Sequence, residues 1–351
     1  MTATLKVIQP GLSTTVQDLG RTGGQRFGIP VSGAADPIAL RAANVVVGNA
    51  QGMAGLEIVL MGPLLEVQAD SVRVAVAGGA ASIEITGEGG EVRRVPALQS
   101  ARLVRGERLR VGAVPGSAVA YLAIEGGFDL APFQGSLSTY VRGGFGGFDG
   151  RALSDGDLLP LRHLEVDERS EVRLPGLKLT TQSRIRVVLG PQDNYFTPEA
   201  IKTFLGAEYT VSHEADRMGI RLDGPKLTHT RGYNIVSDGI APGAIQVPGN
   251  GLPIILLADR QSTGGYPKIA TVISVDLPAL GRASPGAKLM FDAVTVEVAQ
   301  ALRREFGVRM QALAATLIAV RSDGFDLARL MSENLVSGVI DGQDDVTMFA
   351  L

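Results

Sequence analysis

The chain has 351 residues, of which 45% are hydrophobic and 20% charged, and its formal net charge is −3. Two domains are expected at this length, and a near-neutral chain without a basic block does not favour nucleic-acid binding. The absence of cysteine excludes disulfides, thiolate nucleophiles and zinc–thiolate sites from this chain.

The N-terminal segment lacks the basic start and long apolar core of a signal peptide. No apolar run approaches the length needed to span a membrane. We therefore expect a cytoplasmic protein that does not bind membranes.

Short apolar segments alternate with Gly, Pro and Asp turns. Glycine accounts for 45 of the 351 residues, which is a larger share than the average of about 7%. This pattern is typical of β-barrels and sandwiches. The predicted strands are Leu5–Ile8, Gly55–Val67, Val72–Ala77, Ser82–Thr86, Ala101–Leu103, Leu109–Val111, Ala118–Ile124, Leu158–Leu161, Arg184–Leu189, Tyr209–Ser212, Gly219–Leu222, Ile245–Val247, Ile254–Ala258, Ala270–Val275 and Lys288–Phe291.

Three helices are predicted. The first spans Pro37–Val47, with Asp36 as its N-cap, proline at its first position and Gly48 as its C-terminal stop. The second spans Phe196–Leu205. The third spans roughly Thr295–Val320, where apolar residues recur at helical spacing.

The predicted division of the chain is residues 1–175, 176–300 and 301–351, the last part being a C-terminal helix and tail. The charged, then Pro/Gly-bearing segment Asp167–Gln182 is the predicted linker. A turn glycine also precedes a strand at three places along the chain, which either two related barrels or common turn chemistry explains. These glycines are Gly106, Gly156 and Gly286.

The most concentrated group of polar side chains lies in Ala258–Lys268, directly after a predicted buried strand. Its glycines allow a tight bend and close backbone contact, and loops carried by a rigid strand often form binding sites. A surface hairpin with an accidental mixture of polar residues is the alternative. The candidate site residues in this segment are Asp259, Gln261, Thr263, Gly264, Gly265, Tyr266 and Lys268.

A second polar cluster consists of Gln17, Asp18 and Arg21, which supply an amide, an anion and a cation around a glycine. It leads into Gly28–Asp36, just before the first helix, whose N-terminal amides are able to hold an anion. The alternative is that Asp36 only caps its helix.

Two further candidates lie in the second half. Arg217, at the edge of a strand, is either a clamp for a carboxylate or phosphate or a salt-bridged structural residue. Gln246 follows a Gly/Pro loop, and its amide would be a specific hydrogen-bond partner if it points inward. The glycine-rich segment Gly143–Gly150 has no lysine and opens no predicted helix, so it is interpreted as a flexible loop or rim.

Several common sites are not indicated. The three histidines are scattered and form no ligand pair, so no metal site is predicted in this chain. The sequence contains neither a Gly-x-Ser-x-Gly elbow nor a Walker A motif.

Together these motifs resemble the family that includes allophanate hydrolase subunit 2, the C-type subunit of 5-oxoprolinase and Kip antagonist, which is related to the carboxyltransferase portion of urea amidolyase. The resemblance covers about residues 5–300, with Ser262 where the family usually has threonine. It rests on the segments Thr14–Arg21, Gly28–Asp36, Asn44–Asn49, Gly55–Glu57, Arg217–Leu222, Gly243–Pro248 and, above all, Asp259–Lys268.

The resemblance implies a mainly β protein with two cyclophilin-like β-barrel domains, a few short helices and a C-terminal helix. It also implies a hetero-oligomer with a B-type (Kip inhibitor-like) small subunit and a lactam-utilisation A subunit. Such a complex would use ATP, at a site not identified in this chain, to convert 5-oxoproline to glutamate.

Two alternatives stay open. The chain would instead be a carboxyltransferase subunit that moves a carboxyl group from carboxybiotin on a partner to urea or a similar small amide. The other alternative is a non-catalytic antagonist that binds a kinase-inhibitor-like subunit.

The opening of 5-oxoproline and the carboxyl transfer both require positioned hydrogen-bond donors that stabilise negative charge on a small planar group. Lys268 is the predicted cation, assisted by Arg217 or Arg21, and Asp259 would accept a proton or orient Lys268. The side chains expected to orient the substrate amide are Gln261, Thr263, Tyr266 and Gln246.

Overall fold

The computed structural model describes residues 3–180 and 182–320, and this part of the chain is mostly β. In the first half, the strands are β1 Thr4–Gln9, β2 Ser13–Gln17, β3 Gly55–Val59, β4 Leu64–Val67, β5 Ser71–Ala77, β6 Ser82–Thr86, β7 Val92–Pro96, β8 Ser100–Val104, β9 Arg108–Val111, β10 Val119–Ile124 and β11 Leu158–Pro160.

The remaining strands are shorter on average. They are β12 Val172–Arg173, β13 Arg184–Leu189, β14 Tyr209–Val211, β15 Gly219–Asp223, β16 Asp238–Gly239, β17 Ala244–Gln246, β18 Ile254–Leu256, β19 Thr263–Gly264, β20 Lys268–Val272, β21 Lys288–Ala293 and β22 Ile318–Ala319. The α-helices are α1 Pro37–Val47, α2 Pro198–Gly206, α3 Leu277–Gly281 and α4 Val296–Gln311. Short 3₁₀ turns occur at Gln25–Phe27, Val141–Gly143, Asp193–Tyr195 and Leu313–Thr316.

In the first half, two sheets enclose one core. The six-stranded sheet has the order β11-β1-β4-β9-β6-β7, and the five-stranded sheet has the order β2-β3-β10-β5-β8. Strand β5 shows how the sequence sets the two faces: Val72, Val74 and Val76 enter the core between the sheets, whereas Ala75 and Ala77 face α1 on the outside. Small side chains on that outer face allow the helix to pack closely against the sheet.

In the second half, seven strands close into a barrel with the order β13-β20-β17-β18-β15-β14-β21. Strands β13 and β21 are parallel, and the other pairs are antiparallel. Helix α2 covers one side, where Phe204 stacks on Phe291 of β21 with ring centroids 4.5 Å apart. The mainly β prediction is confirmed, and the closed barrel leaves its strands no free edge.

The predicted linker is packed against the first half. Strand β12 pairs with β22, and Leu174 and Leu179 are buried beside α1. Glu171 also forms an ion pair with the fully buried Arg73, at 3.2 Å. The segment therefore packs against the first half and pairs with the part of the chain that follows α4. The division into residues 1–175 and 176–300 stays a prediction.

Helix α1 has the predicted bounds. Asp36 accepts hydrogen bonds from Ile38 N and Ala39 N, and Gly48 ends the helix with a left-handed φ of 89°. The predicted strand Gly55–Val67 is instead two strands, because the chain turns at Leu60, whose φ is 58°.

The predicted helix Thr295–Val320 ends at Gln311, with Thr295 as its N-cap. Of the C-terminal part predicted over residues 301–351, residues 321–351 lie outside the described residues. Within the described ranges, no helix is long and apolar enough to cross a bilayer.

Candidate functional site

An ion-pair network centred on Arg217 joins the two halves. Its Nε and Nη2 atoms donate to the two carboxylate oxygens of Asp259, at 2.7 and 3.1 Å. Its Nη1 donates to Glu57 of β3, and Nη2 also donates to the carbonyl of Gly33 at 2.7 Å. Burial opposes the charge on Arg217, but the carboxylates of Glu57 and Asp259 outweigh burial and raise its pKa above the ordinary value. Of the two roles proposed for Arg217, the contacts are those of a salt-bridged residue.

The network continues through Tyr121 to the start of α1. Glu57 accepts hydrogen bonds from the hydroxyl of Tyr121 and from Ala35 N, and Tyr121 in turn accepts one from Asp36 N, at 2.9 Å. Besides capping α1, the Asp36 carboxylate pairs with Arg282 at 2.7 Å. Burial raises the pKa of Asp36, and Arg282 opposes that rise. The Gly28–Asp36 motif is thus part of the contact between the halves.

The Asp18 carboxylate is hydrogen-bonded to a neighbouring loop of the chain. Its carboxylate accepts hydrogen bonds from Gly20 N and Leu137 N, both at 2.7 Å, and from the hydroxyls of Ser136 and Ser138. Gln17 is fully buried and donates to the carbonyl of Thr139 at 3.0 Å. The two side chains fix the segment that follows Phe133.

Arg21 contacts the same segment, the residues that follow Phe133. It is buried and donates to the carbonyl of Ser138, and its guanidinium lies beside the paired rings of Phe133 and Phe145, whose centroids are 5.6 and 5.3 Å from its Cζ. Burial lowers its pKa, against the attraction of Asp18 and Asp259. The Gln17, Asp18 and Arg21 cluster therefore positions residues 133–145.

An open cavity of about 400 Å³ lies beside that segment, against the outer face of the barrel strands β15, β17 and β18. It brings together three of the predicted site residues, Gln246, Gln261 and Tyr266. Arg142, which belongs to the first half, lies at the rim of this cavity and forms an ion pair with Asp216 at 2.8 Å. The other lining residues are Glu214, Met218, Gly219, Arg221, Ile254 and Leu256. We call this space the barrel cavity; it combines amide, phenol and cationic groups with an apolar wall.

The loop glycines support the wall of the barrel cavity. Thr263 and Gly264 form β19, which pairs with β16. A Cβ atom on Gly264 would lie 2.7 Å from Nε2 of Gln246, whereas one on Gly265 would meet its nearest atom at 3.4 Å. Gly264 therefore leaves room for the Gln246 amide, which donates to the carbonyl of Tyr266 at 3.4 Å.

Lys268 lies on β20, opposite Gln246 on β17. Its side chain is 3% exposed, and its Nζ donates to Asp238 at 2.8 Å and to the carbonyl of Gly239 at 3.4 Å. The hydrogen bond from Lys268 lowers the pKa of Asp238. Lys268 is thus held by β16, the strand that also pairs with the Thr263–Gly264 wall.

The predicted site residues accordingly fall into three places: the junction of the halves, the loop after Phe133 and the barrel cavity with its supporting strands. Sequence reasoning missed Glu57 and Asp238 as partners. A carboxylate within the apolar segment Gly55–Val59 was the available signal for Glu57, since a buried acid requires a cation. Over residues 3–180 and 182–320, no cluster of His, Cys, Asp or Glu is arranged to hold a metal ion.

Comparison with known proteins places this geometry in context. Residues 27–293 match the family model described as carboxyltransferase domain, subdomains A and B. The chain is 36% identical to the C-type subunit of 5-oxoprolinase from Escherichia coli over 312 residues, which is 86% of this chain and 94% of that protein. The name of that relative marks it as one subunit of an enzyme.

The chain also resembles parts of larger proteins. It is 31% identical to urea amidolyase of Saccharomyces cerevisiae, over 95% of this chain but 18% of that protein. The crystal structure of Kluyveromyces lactis urea carboxylase superposes with a TM-score of 0.82 at 31% identity, covering 92% of this chain and 30% of that one. The fold of this chain is therefore that of a known type of domain.

Proposed function

The chain belongs to the carboxyltransferase domain family, subdomains A and B, and we propose that it is the C-type subunit of an ATP-dependent 5-oxoprolinase. One observation carries this proposal: the chain matches 94% of the length of a C-type 5-oxoprolinase subunit but 18% of a urea amidolyase. The proposed enzyme also contains a B-type small subunit and an A subunit, and it opens the lactam of 5-oxoproline to give glutamate.

The barrel cavity is the proposed contact point for the small lactam. Gln246, Gln261 and Tyr266 supply the amide and phenol groups that pair with a planar amide, and Ile254 and Leu256 provide an apolar wall for its ring. Lys268, held by Asp238, supports this wall from β20. The residues of the chain thus bind and orient the lactam.

The charges of the barrel cavity suit a small lactam better than a nucleotide, and the arginines of this cavity are the reason. Its two arginines already have carboxylate partners, since Arg142 pairs with Asp216 and Arg221 pairs with Glu214 at 3.1 Å. Two compensated cations do not attract a triphosphate strongly. We therefore assign the use of ATP to the assembled complex and derive no step through it in this chain.

The test is reconstitution followed by an activity assay. The chain would be co-purified with candidate B-type and A subunits from the same organism, and ATP-dependent release of glutamate from 5-oxoproline would be measured. We expect Gln261→Ala and Lys268→Ala to lower turnover by about tenfold or more, because each removes a polar group at or behind the cavity wall.

The control is Gln182→Ala, which removes an exposed amide far along the chain from these residues. Each variant would first be checked for folding and for assembly with its partners. Full turnover by a folded Lys268→Ala complex would remove Lys268 from the proposed site, and failure of the wild-type complex to release glutamate would contradict the proposed activity.

The second candidate is a carboxyltransferase subunit, and the family model and the urea amidolyase match favour it. Here carboxybiotin on a partner protein would donate the carboxyl group to urea or a similar amide. A biotin carboxylase gene beside this one, and biotin-dependent consumption of urea by the complex, would support this function. If the chain only sequesters its small partner, neither activity will appear although the complex forms.

A further inference from the structure

A second, smaller cavity lies where the segment before α1 meets the barrel. Its volume is about 160 Å³. One wall comes from the first half (Val31, Ser32, Ala34, Ala35 and Pro37), and the other comes from the second half (Pro242, Leu257, Ala258, Arg260 and Leu277). We call it the junction cavity. Its walls are apolar except for the side chains of Arg260 and Ser32.

Arg260 is buried without a carboxylate partner among the described residues. It is 5% exposed, and its guanidinium donates to two backbone carbonyls, Ile240 O at 3.1 Å and Leu257 O at 3.2 Å. Its neighbour Asp259 gives both carboxylate oxygens to Arg217. Because an uncompensated buried charge is costly, a guanidinium at the wall of a cavity marks a place for an anion.

Ser32 provides an independent sign of a missing partner. Its hydroxyl is buried and has no hydrogen-bond partner among residues 3–180 and 182–320. Its backbone is held in a left-handed conformation, with φ of 55°, and its amide donates to Ala258 O across the junction at 3.1 Å. A buried hydroxyl without a partner requires an explanation, and a change of the Ser32 rotamer would bring this hydroxyl to an acceptor bound in the junction cavity.

The size of the junction cavity limits the ligand. An apolar protein cavity of about 150 Å³ accommodates benzene, a molecule of six non-hydrogen atoms. We propose that the junction cavity binds a short-chain monocarboxylate of about that size, with its carboxylate on Arg260 and Ser32 and its apolar body between Val31, Pro242 and Leu257. Because the two walls come from different halves, this ligand stabilises their contact.

In the direct test, the purified full chain is titrated with sodium butyrate, and binding is measured by isothermal titration calorimetry. A series of thermal unfolding curves at increasing butyrate concentration provides the second readout. Butyramide is the matched control, since it has the same number of non-hydrogen atoms and no charge. We expect butyrate to bind and to raise the unfolding temperature, and butyramide to bind at least tenfold more weakly. Equal binding of both compounds, or binding of neither, would overturn the proposal.

Two variants locate the site. Ser32→Ala removes a hydroxyl that has no partner to lose, so it should leave the stability of the free protein unchanged and weaken butyrate binding about tenfold. Arg260→Met should abolish binding. Arg221→Met, in the barrel cavity, is the control and should bind butyrate as the wild-type does.

Should Arg260→Met fail to fold, nuclear Overhauser contacts from butyrate to methyl groups of the wild-type protein decide the location. Contacts to Val31 and Leu257 support the junction cavity, whereas contacts to Ile254 and Leu256 place the ligand in the barrel cavity and contradict the proposal. The readout is binding, so it is independent of whether the assembled complex hydrolyses 5-oxoproline.

Discussion

The two ends of the segment Asp259–Lys268 have opposite surroundings. At its start, Asp259 is paired bidentately with Arg217 in the network that joins the halves. Further along, Gln261 and Tyr266 line an open cavity. One continuous loop therefore contains carboxylate chemistry that is satisfied within the protein and amide and phenol chemistry that faces a ligand space. A dense polar motif does not by itself mark every member as part of a binding site.

The first prediction breaks the start of this segment. Replacing Arg217 with alanine leaves the buried carboxylates of Glu57 and Asp259 without their cation. We expect the free energy of unfolding to fall by about 3 to 5 kcal/mol, the usual cost of removing one partner of a buried pair. Urea denaturation monitored by circular dichroism would measure the loss.

The matched control is Arg221→Ala, four residues along the chain, because its side chain is 55% exposed and its partner Glu214 is exposed too. That change should cost less than about 1 kcal/mol. Equal losses for the two variants would mean that the junction network contributes no more to stability than a surface ion pair.

The second prediction disturbs the cavity end of the segment. In Gly264→Ala the new methyl group would meet Nε2 of Gln246 and Cδ1 of Ile240, each at 2.7 Å. Both atoms are the ends of flexible side chains, so the stability cost should stay below about 1.5 kcal/mol. The Gln246 amide, however, must move, and we expect the KM for the lactam in the assembled complex to rise about tenfold.

Gly265→Ala is the neighbouring control, since its methyl group would meet the nearest atom at an ordinary 3.4 Å. Denaturation would be measured beside the kinetics for both variants. An unchanged KM in Gly264→Ala would show that the position of the Gln246 amide does not matter to substrate binding.

Local signals predicted a large part of the fold. The bounds of α1 follow from Asp36, Pro37 and Gly48, all within one stretch of chain. Turn chemistry was equally local: the three recurring turn glycines all have left-handed φ values, between 83° and 85°. Strands with no strong apolar pattern, such as β7 with its exposed arginines, were missed, because pairing with β6 and not composition makes them strands.

The arrangement of the site depended on contacts that no local pattern carries. Arg217 and Glu57 are 160 positions apart, and Asp18 meets Ser138 across 120 positions. Residue type was informative about chemistry, since Gln246, Gln261 and Tyr266 do line one cavity. Whether a carboxylate such as Asp259 faces a ligand or an arginine depends on the packing of the two halves, which one sequence does not specify.

The third prediction concerns Lys268, the last residue of the segment, and has the smallest expected effect. Its hydrogen bond lowers the pKa of Asp238 below the ordinary value of 3.8. Asp238 therefore contributes stability that is present above pH 3.8 and is lost as the pH falls through its lower folded-state pKa. Because Asp238 is exposed, solvent screens the pair, and the change should be small.

The measurement compares the unfolding free energy of wild-type and Asp238→Asn between pH 2 and pH 6. We expect the wild-type to be the more stable above pH 4 and the difference to shrink as the pH falls. Asp292→Asn, which removes an exposed ion pair with Arg184, serves as the control for general acid effects. A difference that grows towards acid pH would mean that Asp238 is not stabilised as a carboxylate, and that the buried ammonium of Lys268 is held by the backbone carbonyl of Gly239 instead.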